Sequence, residues 1–131
     1  RENFIQAAGA KSLAAALKTN QTLQLIDLGY RYLAADDPDG GGNIDPNADR
    51  IGESSIEVAD MLKVTSSLLE LHLSSASLRS GTCILEALKV NISLKALNLN
   101  DNYLGPEAGK ILQSVLKVNS TLKKLDIGRM G

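Results

Sequence analysis

Apolar residues recur along this chain in two alternating rhythms. One heptapeptide marks the place where they change. It reads LKTNQTL at 17–23, LKVTSSL at 62–68, LKVNISL at 88–94 and LKVNSTL at 116–122, at spacings of 45, 26 and 28 residues. Before each copy, apolar residues fall at i, i+3 and i+4: Leu13, Ala16 and Leu17; Val58, Met61 and Leu62; Ile84, Ala87 and Leu88; Leu112, Val115 and Leu116. That spacing predicts an amphipathic helix of about three turns. After each copy, counting its last Leu as position one, positions four, six and eleven are apolar. The sets are Leu23, Ile26, Leu28 and Leu33; Leu68, Leu71, Leu73 and Leu78; Leu94, Leu97, Leu99 and Leu104; and Leu122, Leu125 and Ile127, where the chain ends at Gly131. Alternation over positions four to six predicts a short strand with one buried face.

The punctuation agrees. Gly105 and Pro106 open the last predicted helix, where a missing N–H costs least. Lys18, Lys63, Lys89 and Lys117 fall in the final turns, favourable against the helix dipole. Asn20, Asn91 and Asn119 follow two residues later, which predicts left-handed helix exits. Thr65 stands in that place once and predicts a less regular exit.

One interval breaks the period. Leu33 and Leu68 are 35 residues apart, against 16 and 18 for the equivalent pairs Leu78/Leu94 and Leu104/Leu122. The extra residues are assigned to 34–50, AADDPDGGGNIDPNADR, with five Asp and almost nothing to bury. This predicts an acidic surface loop. Asp37, Asp39, Gly42 and Ile44 match places one, three, six and eight of an EF-hand loop. Gly41 and Ala48 stand at places five and twelve, and the flanks are not a helix pair, so a solvated loop outweighs a calcium site.

Composition fits repetition. Leucine occurs 22 times in 131 residues, whereas aromatics are 3%. Many small, similar packing sites need leucines rather than large rings. The net charge of −1 divides into −4 for residues 34–50 and +3 for the rest. Such a balance gives no support for a nucleic-acid or polybasic membrane surface. No apolar run is long enough for a membrane span. A single cysteine suits a reducing compartment, so a cytoplasmic protein is expected. The start at Arg1 without Met, and the fourth frame broken off at Gly131, suggest a piece of a longer array, or ends covered by a capping element.

Residues 94–104, LKALNLNDNYL, resemble the leucine-rich-repeat core LxxLxLxxNxL. The long helix and the 26–28-residue period resemble the ribonuclease-inhibitor-like subtype, also found in Ran GTPase activators, innate-immune sensors and tropomodulins. The position-nine Asn survives only as Asn102; Arg31, Ala76 and Met130 replace it elsewhere. The resemblance implies an α/β fold: a right-handed solenoid, or horseshoe, of about four repeats. Parallel strands would line its concave face and helices its convex face. Residues 1–131 would form a single domain.

On that concave face the candidate partner-binding residues are Asp27, Tyr30, Tyr32, His72, Asn98, Asn100, Asp101, Asp126 and Arg129. The face is polar and mixed in sign, and concave solenoid faces are where such proteins bind. No catalytic constellation is evident. His72 and Cys83 fall on different predicted elements, Gly40–Gly42 lacks the Lys-Ser/Thr of a phosphate-binding loop, and no Cys/His metal spacing occurs. The sequence therefore predicts a non-enzymatic protein-interaction module without a cofactor or metal. The alternatives are regulation of a small GTPase or of actin filaments, the latter because VADMLKVTSSL resembles tropomodulin repeats, and calcium binding at 34–50.

Overall fold

The computed structural model describes residues 5–29, 54–76, 78, 81–102 and 104–128. The insertion at 34–50, Arg31 and Met130 lie outside the described residues, as do the candidates Tyr30, Tyr32 and Arg129. Helix and strand alternate four times: α1 (Gln6–Leu17), β1 (Leu25–Asp27), α2 (Ser55–Val64), β2 (Glu70–His72), α3 (Thr82–Ala87), β3 (Ala96–Asn98), α4 (Glu107–Val118) and β4 (Lys124–Asp126). The strands form one parallel sheet in the order β1-β2-β3-β4. Helices pack in the same order, α1 on α2, α2 on α3 and α3 on α4. Each helix–strand unit therefore meets its sequence neighbours, and the core runs continuously through the stack.

The apolar frame explains this arrangement. Leu68, Leu71, Leu73 and Leu78 of the second unit are fully buried, as are Leu94, Leu97 and Leu99 of the third. Helix residues Val58, Met61, Leu62, Ile84 and Ala87, with the C-cap Leu88, close over them. The outer units follow the frame only on the side that has a neighbour. In α1, Ala10, Ala14 and Leu17 are buried against the next unit, while Leu13 and Ala16 are exposed. In α4 the relation inverts: Ala108, Leu112 and Val115 are buried and Leu116 is 63% exposed. One helical stripe packs backward along the stack and the adjacent stripe packs forward.

Three sequence expectations need correction. First, α3 has six residues rather than about three turns. The interval between Leu78 and Leu94 is two residues shorter than its successor. A Cβ on Gly81, the N-cap, would overlap Leu104 Cδ2, so this helix starts in close contact with the next unit. The helix closes in tight turns, with Leu88, Lys89 and Val90 N–H donating to the carbonyls three residues back. Second, no helix exit uses a left-handed Asn. Among the described non-glycine residues, positive φ occurs only at Gln6, Ser75 and Asp101. Asn119 is extended, at φ −81° and ψ 125°. Third, Thr65 gives no irregular exit, since its φ of −64° and ψ of 140° repeat the geometry of Asn119.

At two helix exits an Asn side chain holds the turn and links it to the preceding unit. Asn91 Oδ1 accepts Ser93 N–H (3.1 Å) and Leu94 N–H (2.8 Å), while its Nδ2 donates to Leu62 O of the preceding unit (2.7 Å). Asn119 repeats this with Thr121 N–H, Leu122 N–H and Leu88 O (3.0, 2.8 and 2.8 Å). An extended residue aims its amide at the previous unit, and this linkage outweighs the left-handed cap expected from sequence.

Candidate functional site

Parallel pairing in register converts one residue per unit into a row. Asp27 pairs with His72, His72 with Asn98, and Asn98 with Asp126. Neighbours in such a row stand about 4.8 Å apart. The central strand residues Leu71 and Leu97 point into the core, so their flanking residues share the opposite face. That face carries a second row, Leu25, Glu70, Ala96 and Lys124, likewise in register. Sequence reasoning named the first row and missed the second. The available signal was the i, i+2 relation about the buried position four.

In two of the four strands, β2 and β4, the two side chains flanking the buried residue pair with each other. His72 Nε2 lies 3.3 Å from Glu70 Oε2, and Lys124 Nζ lies 3.9 Å from Asp126 Oδ2. These side chains are substantially exposed, so each pair contributes at most about 1 kcal/mol. Their value lies in presenting charge of both signs on a rigid sheet.

Several candidates are also tied to backbone. Asp27 Oδ1 accepts Gly29 N–H at 2.9 Å, and Asn98 Oδ1 accepts Asn100 N–H at 2.9 Å. Both are Asx turns that end a strand. Asn100 Oδ1 accepts Gly128 N–H of the next unit at 2.7 Å. A Cβ on Gly128 would stand 3.3 Å from that oxygen, a tight contact that would push the Asn100 side chain back slightly. Asp101 (φ 59°) and Ser75 (φ 52°) occupy the same left-handed place in adjacent units, and Ser75 Oγ donates to Asp101 Oδ2 at 2.7 Å. Asn100 and Asp101 are thus held in links between units. Asp27, His72, Asn98 and Asp126 form the row at the centre of the face.

Cys83 and His72 lie on α3 and β2, respectively. Burial pushes the half-buried Cys83 thiol above its ordinary pKa. An attacking thiolate needs the opposite shift. Among the described residues, no group of three or more His, Cys, Asp or Glu is placed to hold a metal ion. No helix among them is long and apolar enough to cross a membrane.

Four in-register parallel strands alternating with stacked helices define an α/β repeat architecture, consistent with a leucine-rich-repeat-like fold. The chain matches no protein-family model and no curated protein sequence. Its fold is similar to that of the solved structure described as "Leiomodin-1 Actin-Binding Site 2 (ABS2)", with a TM-score of 0.65 and 15% sequence identity over 92% of this chain. The chain spans 62% of the length of that structure.

Proposed function

We propose that this chain is a non-enzymatic protein-interaction module of the actin-binding kind, and that it engages its partner through the exposed face of its sheet. The supporting observation is the register row Asp27, His72, Asn98 and Asp126, beside Glu70 and Lys124, on a fold shared with an actin-binding site. A rigid face that sets Lys124 beside several carboxylates favours docking in one register over nonspecific adhesion. In this reading the stacked units curve as a right-handed solenoid, with the sheet on its concave side. The single cysteine suits the cytoplasm, where actin is met.

Co-sedimentation with filamentous actin, together with pointed-end assembly kinetics, tests the proposal. Binding that weakens about tenfold in Asp126→Lys or Lys124→Glu supports it. Both side chains are exposed enough for the fold to survive these changes. Absence of co-sedimentation and of any effect on assembly overturns the actin assignment. Binding that is indifferent to both substitutions overturns the assignment to this face.

A further inference from the structure

The four segments that run from the end of each helix to the next strand, including the last residues of α2 and α4, lie at one rim of the stack, away from the row of strand residues. They span 18–24, 63–69, 89–95 and 117–123. Together they hold six lysines and no Asp or Glu, although acids outnumber bases in the whole chain. Helix dipoles account for Lys18, Lys63, Lys89 and Lys117. They do not account for Lys95 and Lys123, which fall six residues further on, nor for the missing acids. Lys63 and Lys89 are paired with Asp60 and Glu86 one turn back. Lys18, Lys95, Lys117 and Lys123 make no ion pair among the described residues, and all four are exposed.

Apolar side chains run along the same rim. Val64, Val90 and Val118 occupy one repeat position, each more than half exposed, and Ile92 beside them is 76% exposed. The fold does not require Val at that place, since Thr19 fills it in the first unit. One exposed valine in each of the last three units makes an apolar ridge, and lysines flank it. Scattered exposed aliphatics are ordinary. A ridge in register with a one-signed charge rim is not scattered.

We propose that this rim docks an acidic, amphipathic segment of a partner protein. Aliphatic side chains of the partner cover Val64, Val90, Ile92 and Val118, and its carboxylates face the unpaired lysines. Charge complementarity selects an acidic partner. Interfacial membrane binding favours Trp, Phe and Leu on the inserted face, whereas the ridge is Val and Ile, which favours a protein segment over a lipid surface. The rim is separate from the sheet face, and the proposal stands whether or not that face binds actin.

The test uses a fluorescent synthetic helix-forming peptide with leucines on one face and glutamates elsewhere. A control peptide replaces every leucine by serine, and phosphatidylserine vesicles serve as the lipid probe. Fluorescence anisotropy is expected to show binding of the leucine peptide that weakens with salt. Val90→Ser with Ile92→Ser, and separately Lys95→Glu with Lys123→Glu, are each expected to weaken it about tenfold. All four side chains are exposed, so unchanged circular dichroism is expected and checks the fold. Equal binding of both peptides reduces the rim to a charge sink and overturns the proposal. So do binding to vesicles but not to the leucine peptide, and binding untouched by either pair of substitutions.

Discussion

The side-chain amide of Asn102 donates to Leu73 O, 29 residues earlier and one unit back, at 2.8 Å. Its nitrogen also reaches Leu99 O and Asn100 O, at 3.0 and 3.2 Å. Its oxygen accepts from Ala76 N–H and Leu78 N–H, at 3.1 and 3.2 Å. Asn102 is 1% exposed, so water cannot replace these partners. One side chain thus closes the strand-exit turn of its own unit and of the unit before it. Asn102→Ala leaves buried backbone donors and acceptors without partners and is expected to cost about 2–4 kcal/mol. Asn102→Asp is expected to cost at least as much, because a buried carboxylate cannot donate to Leu73 O. Urea unfolding followed by circular dichroism measures both. A loss below about 0.5 kcal/mol in both variants shows that the turns hold without this link.

The helix exits give a prediction of opposite sign. Asn91 and Asn119 each donate to the last helical turn of the preceding unit, at Leu62 O and Leu88 O. Thr65 has the extended backbone of Asn119, but its hydroxyl reaches only Leu68 N–H, at 3.4 Å. It has no amide to offer Leu17 O, the carbonyl at the equivalent place. Thr65→Asn keeps the local turn and adds the link between units. It is expected to stabilise the protein by about 0.5–1.5 kcal/mol, the usual net worth of one such bond. Asn91→Thr is expected to destabilise by at least as much, because Asn91 is buried. Thermal unfolding of the two variants provides the comparison. A drop in Tm for Thr65→Asn shows that the second exit lacks room for the amide.

The helices and strands were legible in the sequence because stacking gives every unit the same apolar frame. Positions four and six are buried in both middle units: Leu71 and Leu73, Leu97 and Leu99. The errors fall where tertiary relations override local ones. The Asn exits look like left-handed caps to local reasoning, yet their amides bond a unit 29–31 residues away. Leu116 belongs to the apolar frame, but its exposure depends on whether a unit stands against it. Of the candidate site, Asp27, His72, Asn98 and Asp126 were identified from repeat position alone. Glu70 and Lys124 were overlooked, although alternation about the buried position four already places position three on the same face as position five; strand pairing adds that they stand in register. Asn100 and Asp101 looked like open binding positions, and their engagement with Gly128 and Ser75 is visible only across units.

Cys83 gives the pH dependence its sign. Burial raises its thiol pKa, and backbone hydrogen bonding and the nearby Lys63 only partly oppose this. A thiol holds its proton more tightly folded than unfolded when its folded pKa is the higher. Its stabilising contribution is then fully present below the unfolded value of about 8.5 and is lost as pH rises through the folded value. Stability is therefore expected to decline through the alkaline range, and Cys83→Ala is expected to flatten that decline. The same shift lowers the thiolate fraction at neutral pH, so alkylation of the folded protein is expected to be slower than in denaturant. Cys83 is the only cysteine in the chain, which makes the label unambiguous. Mass spectrometry after timed iodoacetamide exposure between pH 7 and 10 reads both the rate and its midpoint. Equal alkylation rates in folded and denatured protein, with a midpoint at or below the ordinary thiol value, contradict the burial argument.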